Sequence, residues 1–318
     1  MKKVLILGSE GFIGSHLVET LSKNFEIFGI DKVFMGYNKH EYDFTKCDIA
    51  YDADAFSSCV KNIQPDVIID SAASVGVDKF ISDEIGEHYR NNIALSHIVT
   101  SSCIESNIDP LLIFFSSSEV YDIYIPYGRF TYGIAKDASE IHYLSSLRNS
   151  VCMRLFNIIG IRQNSHFVVP KFVNAYLEKQ DVFVTPNAKR TFCDVRYLTA
   201  FVENFIQVYQ SLSLKEFDRS TRVFNFGSSN EENFVDMHTL SQLVAKTIDE
   251  SMHRRYCASQ EHEFKREQEI FVREYRQKKA LPENIQTMCF DPVKQADRKL
   301  PDIIKEIVDY EIEKRCIS

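Results

Sequence analysis

Two side chains one helical turn apart, Tyr132 and Lys136, have the types and the spacing needed to take a proton from an alcohol. Residues four apart in a helix share a face, and an ammonium group near a phenol favours the phenolate, which lowers the tyrosine pKa from about 10. Such a tyrosine can remove a hydroxyl proton while hydride leaves the same carbon. An isolated pair with this spacing more often lies on a solvated helix surface. The surrounding sequence therefore has to show whether this pair is catalytic.

The segment before this pair is the most apolar run of the chain, residues 111–115, and it predicts a buried parallel strand. Three serines, 116–118, and Glu119 follow it. A serine hydroxyl at this strand end would hydrogen-bond the same substrate oxygen as Tyr132. The strand end therefore favours a catalytic role for the pair.

A glycine-rich turn near the start of the chain predicts a nucleotide site. The apolar run Val4–Leu7 is followed at once by Gly8, Gly11 and Gly14, and a helical pattern continues to residue 21. The first glycine permits a tight turn, the second lets the backbone approach a pyrophosphate, and the third lets the helix pack closely on the strand. The helix N-terminus then faces the phosphate charge.

An acidic residue completes this unit, because a second apolar segment, 25–30, ends at Asp31. A carboxylate at this position can accept hydrogen bonds from the adenosine ribose hydroxyls, and it would repel a 2′-phosphate. The sequence therefore favours NAD over NADP, although Lys32 next to it has the opposite charge.

Composition excludes several other classes of protein. The 318 residues carry a net charge of −8, which argues against general binding of nucleic acid. The eight cysteines form no C-x-x-C pair, so we expect reduced thiols and no metal site. The apolar run after Met1 is too short for a signal peptide, and no stretch is long enough to span a bilayer. We expect a cytoplasmic α/β protein.

With the spacing G-x-x-G-x-x-G, the Ser-rich strand end and Tyr132-x-x-x-Lys136, the chain resembles extended short-chain dehydrogenases/reductases. Within them it resembles the NAD-dependent epimerase/dehydratase family, which acts on nucleotide sugars. The resemblance implies a doubly wound parallel (Rossmann) sheet over residues 1–165, with a return segment near 192–227. It implies a smaller substrate lobe over 166–318, where helices are expected at 200–212 and 300–313.

The resemblance also assigns the cofactor-binding residues. They are Gly8, Gly11, Phe12, Ile13, Gly14, Asp31, Lys32, Asp48, Ile49, Ala72, Ala73, Asn92, Tyr132 and Lys136. In the family an Asp followed by an apolar residue contacts adenine. Both Asp48-Ile49 and Asp43-Phe44 offer this pair, and we prefer the first because it is nearer the next predicted helix, 53–63. A solvated turn aspartate is the alternative for Asp48, and a helix-packing residue is the alternative for Asn92.

Other residues are assigned by the resemblance to catalysis and to the substrate. Ser117, Tyr132 and Lys136 would be catalytic, and Ser118, Asn157, Lys171 and Arg190 would bind the substrate. Asn157 and Arg190 would contact its diphosphate, since a guanidinium fork suits phosphate. A surface arginine is the alternative for Arg190. A homodimer formed through the helices after Asn92 and Tyr132 is also implied.

The net reaction depends on Glu119, which resembles the Glu at the strand ends of nucleotide-sugar decarboxylases and 4,6-dehydratases. There it serves as a base or electrostatic partner once the sugar is a 4-keto species. We expect oxidation at C4 followed by dehydration, decarboxylation or epimerisation. A 4-dehydrogenase that releases the keto sugar, or a non-catalytic NAD-binding protein, are the alternatives. The chain departs from the family pattern at Asp122, in the short segment that follows it, and in the charged run 250–279.

Overall fold

The computed structural model describes residues 1–38, 42–74, 86, 89–122, 130–184, 188–209, 222–256, 271–272 and 297–317. The segment 75–77, the segment 123–129 and nearly all of the charged run after residue 256 lie outside the described residues.

Thirteen strands are found in the described part of the chain. They are β1 (Lys3–Leu7), β2 (Glu26–Asp31), β3 (Asp43–Lys46), β4 (Val67–Asp70), β5 (Leu111–Ser117), β6 (Ser150–Leu155), β7 (Ile158–Ile159), β8 (Phe183–Val184), β9 (Lys189–Thr191), β10 (Cys193–Asp194), β11 (Val223–Phe226), β12 (Phe234–Asp236) and β13 (Phe271–Val272).

The helices are α1 (Phe12–Leu21), α2 (Ala53–Ile63), α3 (Leu95–Glu105), α4 (Phe130–Ser146), α5 (Val168–Leu177), α6 (Val195–Tyr209), α7 (Met237–Tyr256) and α8 (Leu300–Ile317). A π-helix, Tyr89–Ala94, leads directly into α3, and a 3₁₀-helix, Ser118–Asp122, follows β5.

Seven strands form one parallel sheet in the order β11-β6-β5-β4-β1-β2-β3. All of its strands point the same way, so their carboxyl ends meet at one edge. The chain reverses its direction of winding between β1 and β4, and ligands of doubly wound sheets bind outside the strand ends at such a switch point. The glycine turn follows β1, so the topology places it there.

The central strands of this sheet, β1, β4 and β5, are apolar because helices cover them. Val4 to Leu7, Val67 to Ile69 and Leu111 to Phe115 are all buried. One core cluster packs strand residues such as Leu5 and Leu112 against Phe56 of α2, Val99 of α3 and Tyr143 of α4. This burial explains why the strands lack the alternating pattern of half-exposed strands.

The chain divides into two compact units. The first contains Met1–Leu155 and Thr199–Phe226, and it holds the seven-stranded sheet. The second contains Phe156–Leu198 and the described residues from 227 onward. Its core packs Val169 and Phe172 of α5 against Leu240 of α7 and Ile304 of α8, beside the two-stranded pairs β7–β10, β9–β12 and β8–β13.

Two predicted helices are found with shifted bounds. The helix expected at 200–212 begins at Val195, because Asp194 caps it: the Arg196 N–H donates to Asp194 Oδ1 at 2.9 Å. The closing helix runs from Leu300 to Ile317. No helix in the described part of the chain is long and apolar enough to cross a membrane.

Candidate active site

The glycine turn is closed to larger side chains. Gly8 has a φ of +77°, and a Cβ there would lie 3.0 Å from the backbone of Ala72 at the end of β4. A Cβ on Gly14 would lie 1.9 Å from the Gly8 carbonyl oxygen, closer than any real contact. The turn is fixed from the other side by the Gly8 N–H, which donates to the Ile30 carbonyl at 2.8 Å. Glycine is therefore required by geometry at positions 8 and 14.

Gly14→Ala is expected to weaken NAD binding at least tenfold, because the new methyl group must displace either the turn or α1. Isothermal titration of NAD measures the effect. Gly86→Ala is a suitable control, since a Cβ there would make only ordinary contacts, at 3.6 Å or more, with the guanidinium of Arg90. An NAD affinity in the Gly14 variant equal to that of the wild-type protein would contradict this account of the turn.

The first turn of α1 is suited to an anion. No side chain caps its N-terminus at Gly11, and its first turn contains no acidic residue. Phe12 and Ile13 are only half-buried, so their amides are close to the surface. Backbone N–H groups at a helix start, together with the helix dipole, bind phosphate.

Asp31 ends β2 beside this turn. Its Oδ2 accepts the Glu10 N–H at 3.1 Å and its Oδ1 accepts the Val33 N–H at 3.3 Å. Burial raises the pKa of Asp31, although these backbone hydrogen bonds oppose the shift. Each carboxylate oxygen keeps a lone pair that could accept a ribose hydroxyl. Lys32 is exposed.

The two candidate adenine contacts lie at different places relative to the end of the sheet. Asp43 begins β3 opposite Phe28, well before the end of β2, whereas Asp48 and Ile49 follow the carboxyl end of β3. The Cys47 N–H donates to the Asp31 carbonyl at 3.0 Å, which holds this segment near Asp31. Asp48 is half-buried, and Ile49 packs in the core below. Asp48-Ile49 therefore lies at the carboxyl edge of the sheet, and its contact with adenine stays a prediction.

The end of β4 brings small residues to the same edge. Ala72 is half-buried and donates its N–H to Asp70 Oδ1 at 3.2 Å, and Ala73 is exposed. Asn92 is buried in the π-helix, where its Nδ2 lies 3.4 Å from the Ser74 carbonyl. The backbone carbonyl of Asn92 accepts a hydrogen bond from the Ser139 hydroxyl of α4 at 3.2 Å. Asn92 thus joins the end of β4 to α4.

Tyr132 and Lys136 are both buried on α4, which packs against β5 and the 3₁₀-helix that follows it. The Lys136 Nζ donates to the Phe115 carbonyl at 2.9 Å and lies 5.9 Å from the centre of the Tyr132 ring. Ser117 ends β5 two residues further, and its Oγ accepts the Glu119 N–H at 3.2 Å. The alternative of a solvated helix surface is excluded for this pair by its burial.

A buried charge network that we did not predict surrounds Lys136. Asp70 is fully buried and accepts the Tyr143 hydroxyl at 2.7 Å. Glu140, one turn after Lys136, accepts Arg154 Nη2 at 2.7 Å and the Ser116 hydroxyl. Burial lowers the pKa of Lys136 to about 8, and the charges of Asp70 and Glu140 oppose this shift. The only sequence signals were the i, i+4 spacing of Lys136 and Glu140 and an acid at a strand end.

The predicted substrate residues are divided between the units. Ser118 is buried and Glu119 is half-buried at the end of β5. In the second unit, the Asn157 Nδ2 donates to the Thr191 carbonyl at 3.1 Å, and Arg190 is the residue before Thr191 in β9. Arg190 and Asn157 are thus neighbours. Lys171 lies exposed in α5.

A parallel sheet with a glycine turn at its switch point and a buried Tyr132–Lys136 pair defines a dinucleotide-dependent enzyme of the dehydrogenase type. The model of the NAD dependent epimerase/dehydratase family matches residues 4–212, so the chain belongs to that family. The predicted family, fold class and NAD cofactor are confirmed.

Curated relatives include several sugar-nucleotide enzymes. A UDP-N-acetyl-alpha-D-glucosaminuronate decarboxylase of Bacillus cytotoxicus is 28% identical over 278 residues, which are 78% of this chain and 83% of that protein. A human dTDP-D-glucose 4,6-dehydratase is 25% identical over 279 residues, 79% of this chain and 76% of that protein. The Bordetella bronchiseptica enzyme WbmH in complex with NAD+ superposes with a TM-score of 0.73, at 22% identity and with 98% of this chain and 99% of that chain covered.

The residues present fit NAD. A turn that admits no side chain at Gly8 and Gly14, an uncapped helix start and a carboxylate at Asp31 are what its pyrophosphate and ribose require. Bound NAD supplies the hydride acceptor. The wider set of predicted cofactor-binding residues stays a prediction.

Proposed function

We propose that the protein oxidises the C4 hydroxyl of a nucleotide-diphosphate sugar to a 4-keto species, which then loses water or carbon dioxide or is epimerised. The observation that carries this proposal is the buried Tyr132–Lys136 pair at the carboxyl end of β5. The relatives named above support the substrate class, because two of them are enzymes of UDP- and dTDP-sugars.

In this proposal Tyr132 is the base that removes the C4 hydroxyl proton. The Lys136 ammonium, held by the Phe115 carbonyl, stabilises the phenolate. Ser117 hydrogen-bonds the same sugar oxygen and thereby polarises it. Ser118, Asn157, Lys171 and Arg190 would bind the substrate, with Arg190 and Asn157 on its diphosphate.

Glu119 is proposed to act after the oxidation. A 4-keto group acidifies the neighbouring C–H bond, so a carboxylate nearby can remove that proton. Glu119 lies in the 3₁₀-helix that follows β5. The Ser117 Oγ accepts the backbone N–H of Glu119, which fixes the start of this helix relative to the proposed catalytic serine. Residues 166–318 are proposed to supply most of the sugar-nucleotide contacts.

The test is incubation of the purified protein with NAD and a panel of UDP-, GDP-, dTDP- and CDP-sugars, with product masses and NADH absorbance recorded. Loss of water, loss of carbon dioxide, or a stereoisomer of unchanged mass would each support the proposal. Where water is lost, Glu119→Gln should arrest the reaction after oxidation. Loss of two hydrogens with lasting NADH would support the 4-dehydrogenase. No turnover of any sugar with NAD bound would contradict the proposal.

The Asp70 charge should set the alkaline limit of activity. Lys136 must be protonated to stabilise the phenolate, so kcat is expected to fall as the pH rises through about 8. Asp70→Asn removes a negative charge that favours the ammonium, and the Lys136 pKa therefore falls. The decline should begin roughly one pH unit lower in this variant.

A pH profile of kcat from 6 to 10 measures this shift. Asp66→Asn is the matched control, because it removes an equal charge from an exposed residue just before β4. An unchanged alkaline limb in Asp70→Asn would mean that Asp70 does not act on Lys136.

A homodimer through α3 and α4 is also proposed. Large apolar side chains are exposed on these helices: Ile104 at 63%, Ile134 at 42% and Ile141 at 50%. Ile134 and Ile141 are seven residues apart and share a face of α4. Sedimentation equilibrium tests the proposal, and a monomer at micromolar concentration would contradict it.

A further inference from the structure

Glu10 belongs to the glycine turn, and it is buried, with only 5% of its surface exposed. Its Oε2 accepts two backbone N–H groups, of Met35 and of Gly36, each at 2.7 Å. Its Oε1 accepts the hydroxyl of Tyr42. Burial and the hydrogen bond to Glu10 raise the pKa of Tyr42, so this hydroxyl remains a donor. Three donors on one carboxylate form a strong, charge-assisted anchor.

The anchored segment is the one that follows Asp31. Residues 33–36 leave β2 with their first three side chains exposed, and the Asn38 Nδ2 fixes the next turn by donating to the Ser15 carbonyl at 2.6 Å. Asp31 accepts the N–H of Val33 at the start of this segment and the N–H of Glu10 itself. Glu10 and Asp31 are thus tied to the same piece of backbone.

Two carboxylates at this point must repel each other and any further anion. Burial is the main cause that raises the Asp31 pKa, and the negative charge of Glu10 adds to it. Glu10 is largely shielded from water, so its field is screened less than that of a surface glutamate. A 2′-phosphate on the ribose that Asp31 would bind has to enter this field.

We propose that Glu10 is a specificity-determining residue for the cofactor: together with Asp31 it excludes the 2′-phosphate of NADP, and it holds residues 35–36 in place. This inference rests on the assignment of Asp31 to the adenosine ribose and is independent of the sugar chemistry proposed above.

Glu10→Gln separates charge from anchoring. A glutamine oxygen can still accept both backbone N–H groups, and its amide can donate to the Tyr42 oxygen. Glu26→Gln is the matched control, since it removes an equal charge from an exposed residue at the opposite end of β2. Asp31→Asn supplies a second test that does not depend on the folding of the Glu10 variant.

Dissociation constants of NAD and of NADP are measured by isothermal titration without any sugar, so a protein that turns over no sugar still gives a result. Glu10→Gln should bind NADP about tenfold more tightly and NAD within threefold of the wild-type protein, and Glu26→Gln should change neither. Asp31→Asn should keep part of the preference for NAD over NADP. The double variant Glu10→Gln/Asp31→Asn should lose this preference. The inference would be overturned if the ratio of the NADP and NAD dissociation constants were unchanged in Glu10→Gln. It would also be overturned if Asp31→Asn alone lost the whole preference for NAD.

Discussion

Tyr132→Phe is expected to bind NAD as the wild-type protein does and to lose turnover by roughly 10²- to 10⁴-fold, the usual contribution of a positioned base. The phenylalanine ring keeps the packing of Tyr132, which is 8% exposed on α4, but it cannot take a proton. Lys136 keeps its hydrogen bond to the Phe115 carbonyl, so the surrounding charges stay in place. The substitution therefore removes the hydroxyl that would accept the proton and keeps the ring and the neighbouring charge.

Steady-state kinetics with the sugar found in the panel, together with titration of NAD, measures this result. Tyr209→Phe is the control, because Tyr209 is a tyrosine of similar burial, 4% exposed, at the end of α6. Its activity should stay close to that of the wild-type protein. Full activity of Tyr132→Phe would remove Tyr132 from the mechanism.

Arg154→Met should lower the free energy of unfolding by about 3–5 kcal/mol, the usual cost of leaving one partner of a buried ion pair alone. The Arg154 Nε and Nη2 donate to Glu140, whose side chain is 3% exposed. After the substitution this carboxylate keeps only the Ser116 hydroxyl among its described hydrogen-bond partners. Arg154 also lies 4.9 Å from the centre of the Tyr121 ring, a contact that methionine replaces in part.

Thermal unfolding should show a midpoint lowered by roughly 5–10 °C. The double variant Arg154→Met/Glu140→Gln removes both charges and should be more stable than Arg154→Met alone. If the single variant loses less than about 1 kcal/mol, or the double variant is the less stable of the two, the pair does not stabilise the fold in this way.

The elements of the fold that were predicted correctly from sequence depend on short spacings. The three glycines and Asp31 belong to one strand–turn–helix–strand unit, and Tyr132 and Lys136 are one turn apart, so neighbouring residues carry the signal. The choice of Asp48 over Asp43 as the adenine contact rests on proximity to α2, which is also a local property, and it stays a prediction.

The features missed from sequence depend on contacts between distant segments. Asp70 and Tyr143 are 73 positions apart, and the pairing of Glu140 with Arg154 needs the packing of α4 on β6. Glu10 occupies an unspecified position of the G-x-x-G-x-x-G pattern, and its partners follow β2 by a route that the sequence does not specify. The predicted start of α6 was wrong for a local reason, because the prediction did not include Asp194 as the residue that caps this helix.

The most direct test of C4 oxidation is turnover of a nucleotide sugar that carries deuterium at C4, with the reaction quenched before completion and the cofactor analysed by mass spectrometry. The account predicts deuterium on the reduced cofactor and a slower reaction than with the unlabelled sugar. Product formation at an unchanged rate, with deuterium never found on the cofactor, would show that the reaction does not proceed through oxidation at C4.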